Sequence, residues 1–475
     1  MSTFTTPAAS AEVSAIDRHA RQPVLLLAGA ALVWLVASGA LALIASIQQH
    51  SPSFMTDCAW FTHGRVQAMR ESAFVFGWAA NAGLATSLWI LGRLGGSPLR
   101  GSSWTVIGAV FWNLALLVGL GGIAAGHMTA FALLQLPRYV QPLMLAAYAA
   151  IAVSGVLAWS GRRTDATYAS HWYAVAALFL FPWFSGAAQA VLLWEPLRGS
   201  LQAVASVWHV QNVWSLWLAP FALAAAYYVV PKISGRALPS YDFAPLGFWT
   251  LVVVGGWIGG RHLIGGPVPA WIPSTGLVAA YLVLFHYVIV ALNLRGALSG
   301  SGNALAFIKY GLVAYLGVGV ADALFSLRGL AENAQFTLVF TAVDQLGLQG
   351  ALSMILFGAL YYMVPRLTGS PWQSGAMVTG HRVAMFVGVT VLVVALLVAG
   401  SAQGTALADA KVNFGEIAAR MKFWLLVRTA AEFVLLSGNV LLLVNFMLST
   451  CGCCKAAAGE NSPFRHTAAM EAPAR

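Results

Sequence analysis

The sequence predicts an all-α, polytopic membrane protein of about twelve transmembrane helices, arranged in three pseudo-symmetric four-helix arcs. Composition gives the first reason: 8% of the residues are charged and 59% are hydrophobic, far outside the range of a soluble globular chain. The second is a series of apolar runs of about twenty residues, the length a helix needs to cross a hydrocarbon core. The third is a phrase written twice, YYVVPKISG at Tyr227 to Gly235 and YYMVPRLTG at Tyr361 to Gly369, each closing an apolar run. A looser copy, SLWILGRLGG at Ser87 to Gly96, keeps the apolar run, the basic stop and the glycines. The copies lie roughly 135 residues apart, which leaves room for about four spans per repeat.

The elements follow in chain order. A polar segment, residues 1–22, is expected to form a cytoplasmic tail ahead of the first apolar run at 24–47. That run is too long for a cleavable signal and lacks a small-residue cleavage site. The second run, 73–94, closes on Arg93 and two glycines; runs at 104–126, 136–160 and 170–194 follow. The sixth, 206–230, meets the first Tyr-Tyr phrase, whose aromatic pair suits a membrane interface and whose proline, basic residue and glycine stop the helix. Runs at 243–264, 274–298 and 305–327 lead to the tenth, 341–364, which ends the same way. Runs at 383–402 and 423–448 complete a transmembrane domain spanning 23–449, and 450–475 forms a second cytoplasmic tail.

Charge sets the orientation. With the N-terminus inside, fifteen of the 25 basic residues fall in the tails and even-numbered loops, among them Arg18, Arg21, Arg93, Arg162, Arg163, Lys232 and Arg366. Both termini are then cytoplasmic. The net charge of +10 needs no nucleic-acid partner, since loops facing anionic lipid account for it. Cys451, Cys453 and Cys454, with His466 beyond, lack the paired spacing of a structural zinc site and read as reduced thiols in a tail.

Four stretches carry a family resemblance: GRVQAMRESAFVFGWAANAGLATS, WHVQNVWSLWLAPFALAAAYYVVPKISGRALPSYDFAPLGFW, GGWIGGRHLIGGPVPAW and VDQLGLQGALSMILFGALYYMVPRLTG. Together they resemble helices two, six, seven and ten of subunit I of the cbb3-type (C-family) haem–copper oxidases, and the similarity runs from about Gly64 to about Trp372. The resemblance implies a respiratory, electron-transport membrane protein of the bacterial inner membrane, partnered by lipid and by a membrane-anchored c-type cytochrome or other respiratory subunits. The family activity would be cytochrome c oxidase, with haem and copper as cofactors.

The same register removes most of the ligands. The low-spin haem position in helix two falls on Arg70, and the copper position in helix six on Gln211. The paired copper positions of helix seven fall on Arg261 and His262, and the haem positions of helix ten on Val343 and Gln345. Six positions therefore keep one histidine, His262. A guanidinium stays protonated and offers no lone pair, valine offers nothing, and a glutamine amide is a weak ligand. The expectation is that neither haem nor a three-histidine copper site forms, so that the chain carries no cofactor.

Nearby histidines do not replace them. His209 lies two residues before Gln211 and turns away on the helix, His63 is expected in the outer loop, and His286 comes from a helix that supplies no family ligand. Tyr315 falls on the family's cross-linked tyrosine and reads as a vestige. The family acid falls on Ala321, with Asp322 adjacent and facing another way. Arg428 and Glu432, four apart, are expected to neutralise each other.

Vacated haem volume must be filled or flooded. Trp208, Trp214, Trp217, Trp249 and Trp257 are candidates to fill it. Arg70, Gln211, Arg261, His262 and Gln345 should converge on one interior region, with Glu71 a possible partner for Arg70. A carboxylate bound to Arg261, or a wet pocket between helices two, six, seven and ten, should offset the buried charge. Three functions stay open: a ligand-stripped structural or regulatory subunit beside a respiratory complex, an active oxidase or nitric-oxide-reductase-like enzyme with unusual ligation, and a transporter or small-molecule binder using the old cavity.

Overall fold

The structure, a computed structural model, describes residues 7–450 apart from Thr56. The cluster of Cys451, Cys453 and Cys454 lies outside the described residues. Within them, twelve helices are long and apolar enough to cross a membrane: α1 (Ala15–His50), α2 (His63–Gly95), α3 (Ser102–Ala125), α4 (Gln141–Ser160), α5 (Ala169–Trp194), α6 (Ser200–Ser234), α7 (Tyr241–Leu263), α8 (Trp271–Ala297), α9 (Asn303–Leu324), α10 (Leu338–Thr368), α11 (Gly375–Ala408) and α12 (Phe414–Thr450).

Burial sorts these helices into two kinds. The apolar stretches of α2, α6 and α10 are 94–100% buried, and those of the other nine only 39–50%. One fully enclosed helix per repeat, flanked by half-buried neighbours that give their outer faces to lipid, is what three four-helix arcs require. The lipid-facing side chains are large and apolar, such as Leu117, Phe179, Val253 and Val313.

The repeated endings meet at one end of the bundle. Trp89, Tyr228 and Tyr362, each four residues before the basic stop of its repeat, bring their rings together at 5.4, 6.1 and 6.2 Å. Each repeat then closes on a glycine in the left-handed region, Gly96, Gly235 and Gly369 at φ 59°, 64° and 73°, where a side chain would be strained. Lys232 and Arg366 therefore sit at the same end of the protein, as three related arcs demand.

Two ends differ from the sequence expectation. The helix that carries α1 begins at Pro7 rather than near residue 24, because polar residues can extend a helix past the hydrocarbon when they find partners. Asp17 finds two: it accepts hydrogen bonds from Arg93 Nε and Nη2, both at 2.8 Å, and from Trp89 Nε1 at 3.0 Å. At the opposite end His63 is the first residue of α2, not a loop residue.

Each central helix contains one widened, π-type segment, at Ala73–Ala79 in α2, Val213–Leu218 in α6 and Leu346–Ser353 in α10. Wide turns release main-chain carbonyls, and side chains take them up. Trp112 Nε1 donates to Phe76 O at 2.8 Å, and Ser353 Oγ donates to Leu348 O at 2.8 Å while accepting from Trp78 Nε1 at 2.9 Å.

Candidate functional site

The widened turns lie next to the inherited ligand positions, and around them the three central helices part. Between α2, α6, the end of α7, α9 and α10 lies a cavity of about 610 Å³. Its wall includes Arg70, Gln211, Arg261, His262, Val343 and Gln345, so the predicted convergence is seen. Both alternatives for offsetting the charge are present together, a pocket and a cross-helix carboxylate.

That carboxylate is Asp322. Arg261 Nη2 lies 2.6 Å from Asp322 Oδ1, and Nη1 donates to the Asp322 carbonyl at 2.7 Å, with both side chains buried. The sequence put Asp322 on another face from Ala321, and that offset turns it towards α7. Arg261 reaches it because α7 ends as a tight 3-10 helix, Gly255–Leu263. Glycines let this segment press on its neighbours: a Cβ at Gly259 would lie 2.5 Å from the Val207 carbonyl of α6.

Two of the other replacements, Gln211 and Arg70, have hydrogen-bond partners. Gln211 Nε2 donates to Ser215 Oγ at 2.9 Å, and Ser215 Oγ donates to Gly255 O at 3.1 Å, stitching α6 to α7. Arg70 Nη1 donates to Gln67 Oε1 at 3.1 Å. Glu71 does not bond Arg70; it accepts 2.7 Å hydrogen bonds from Gln67 and Gln135. Val343 and Gln345 are buried, and Gln345 Oε1 has no partner. His262 sets its ring edge-on to Phe340 at 5.0 Å.

Neighbouring histidines stay out of the cavity wall. His209 is buried against Phe184. His286 bonds Tyr315: its Nδ1 lies 2.8 Å from the Gly247 carbonyl, which can only accept, so Nε2 accepts from the Tyr315 hydroxyl at 2.8 Å. Tyr315 is fully buried behind the cavity wall, among Trp214 and Tyr287.

Two sequence expectations are corrected. Arg428 and Glu432 make no direct ion pair within 4 Å, although the Glu432 charge still acts on the guanidinium; Arg428 Nη1 donates to Gln49 Oε1 at 2.5 Å, because the buried face of α12 packs on α1. Trp249 and Trp257 fill nothing, being 59% and 57% exposed on the outer face of α7. Of the proposed fillers, Trp217 is fully buried, stacked on Phe181 at 3.9 Å and bonded to Tyr148 at 2.9 Å. Trp214 walls the cavity, and Trp208 faces Trp183. An aromatic cluster of Phe76, Trp112, Tyr148, Phe181 and Trp217 thus occupies the space between α2 and α6.

Sequence reasoning missed Asp344. It stands between Val343 and Gln345, the two positions that the resemblance assigns to haem ligands in α10, lines the cavity and is exposed. The signal was available, since a lone acid in an apolar span marks a functional site by default.

A family model described as Cytochrome C and Quinol oxidase polypeptide I matches residues 22–434. The chain belongs to this family. Relatives include the "Cytochrome c oxidase subunit 1 homolog" of Azorhizobium caulinodans, 23% identical, with 88% of this chain and 80% of that protein covered. Another is the "Cbb3-type cytochrome c oxidase subunit CcoN1" of Stutzerimonas stutzeri, 24% identical over 78% of this chain and 81% of that one. The cryo-EM structure of a heme-copper terminal oxidase dimer shares the fold at a TM-score of 0.69 and 14% identity, covering 94% of this chain and 85% of that one. The chain is therefore a multi-pass, cytochrome c oxidase subunit I-like membrane protein with cbb3-type relatives.

The family uses haem and copper, and the donor set here does not fit them at the inherited positions. Arg261 is committed to Asp322 and Gln211 to Ser215, Arg70 can only donate, and His262 has no second imidazole beside it. Among the described residues no three His, Cys, Asp or Glu side chains are grouped to hold a metal ion.

Proposed function

We propose that this family member has given up metal chemistry and acts as a ligand-stripped structural or regulatory subunit beside a respiratory electron-transport complex. The observation that carries the reading is the re-use of ligand positions as interhelical ties, above all the buried Arg261–Asp322 pair. Of the replacements, Arg261 bonds directly across helices to Asp322, and Gln211 is linked to α7 through Ser215, which donates to Gly255 O. Partners would be respiratory subunits such as a membrane-anchored c-type cytochrome, in a bacterial inner membrane with both termini cytoplasmic.

The test is a pyridine haemochrome assay with metal analysis on the purified chain. The expected result is haem and copper well below one per chain. One haem or more per chain would instead support the active-oxidase reading, with ligation from outside the inherited positions.

A further inference from the structure

The charges around the cavity do not cancel. Its wall carries three carboxylates, Glu71, Asp322 and Asp344, against two guanidiniums, Arg70 and Arg261, leaving one negative charge in excess when all three carboxylates are ionised and His262 is neutral. Asp322 is held by Arg261, and Glu71 by two glutamine amides. Asp344 has no hydrogen-bond or ion-pair partner and is exposed where it lines the cavity. Two further acceptors without partners stand on the same helix, Gln345 Oε1 and Gln349 Oε1, and Gln345 is 6% exposed. On its α10 side the wall therefore presents acceptors that a cationic donor would satisfy.

We propose that the cavity is a binding site for a small organic ammonium ion, its charge on Asp344, its N–H groups towards the glutamine acceptors of α10 and its apolar part against Trp214. Shape agrees. The volume of about 610 Å³ lies within the range of small-molecule sites, and apolar surface is interleaved with polar and charged side chains along the lining. An aromatic wall suits a cation as well as an apolar body. The cavity rim includes Phe336, 87% exposed, with its backbone at φ 62°. This left-handed conformation costs a bulky residue free energy, and the ring it carries stands exposed beside the cavity.

The inference rests on the reading above, because the cavity is free for such a guest only if no haem fills it. Thermal unfolding of the full chain in detergent tests it, with butylammonium chloride compared against sodium butyrate and sodium chloride at equal ionic strength. Butylammonium is expected to raise the midpoint saturably, with no matching shift from the two sodium salts. Asp344→Asn should abolish the shift, and Gln345→Leu should weaken apparent binding about tenfold, as for one lost charge-assisted hydrogen bond. Equal shifts with sodium chloride, a shift retained in Asp344→Asn, or none in the parent would overturn the proposal. If Asp344→Asn does not fold, unchanged binding in Gln345→Leu has the same force. A haemochrome assay on the same sample separates the two claims: haem-free protein that ignores butylammonium defeats this site alone, whereas haem-loaded protein defeats the functional reading beneath it.

Discussion

The same three helices behave in opposite ways at their two ends. Where α2, α6 and α10 finish, Trp89, Tyr228 and Tyr362 close on one another ring to ring. Past the widened turns the helices separate around about 610 Å³ lined with charge. One end is specified by packing, which tolerates little change; the other is held by a few polar ties, which can be exchanged in pairs. Stability and innovation have been assigned to different halves of one bundle.

Substitutions can break or sharpen that contrast. The largest effect is expected at the closed end. Trp89→Ala would empty a fully packed site and strip a donor from Asp17, at a cost of about 4–5 kcal/mol. Denaturant unfolding in micelles measures it, and a loss below about 1 kcal/mol would show that the aromatic meeting point is not what holds the arcs together.

At the open end, Arg261→Leu leaves Asp322 buried without a counter-charge, and about 3–4 kcal/mol should be lost. Replacing both residues with leucine should recover most of it, since a matched apolar pair removes the stranded charge along with its partner. Failure of the double replacement to recover stability, in a double-mutant cycle, would mean that the ion pair does more than offset its own burial. A neutral single replacement would remove the argument that the old metal site has been rebuilt.

The smallest change belongs to neither end. Trp257→Leu, on the outer face of α7, should alter stability within about 0.5 kcal/mol. A loss of 2 kcal/mol or more would mean that this ring is covered in the intact assembly, and it would locate a neighbouring subunit.

These contrasts also explain what the sequence could disclose. The architecture was readable because span length is fixed by the bilayer, and because the Tyr-Tyr endings keep their register over two copies. The same regularity lets the resemblance assign ligand positions to Arg70, Gln211 and Val343 by counting along gapless helices. Partnerships were not. Whether Asp322 meets Arg261 depends on how α9 is rotated against α7, and a helix apolar on every side carries no period that reports its rotation. The outward orientation of Trp249 and Trp257 was hidden by the same absence of pattern. Arg428 and Glu432 misled by proximity in the chain, where four residues apart suggested a pair and the neighbour on α1 took the guanidinium instead.

The Asp17–Arg93 contact has a consequence for the order of events in the chain's life. Both partners lie within the first hundred residues, at the same end of two consecutive helices. As synthesis proceeds, α1 and α2 are complete, and able to latch through a bidentate carboxylate–guanidinium contact, while α3 is only beginning to emerge. The helical hairpin that results already fixes the tilt of one central helix against its outer neighbour. Later arcs are then added to a member that has stopped moving, rather than sorting themselves among twelve free rods.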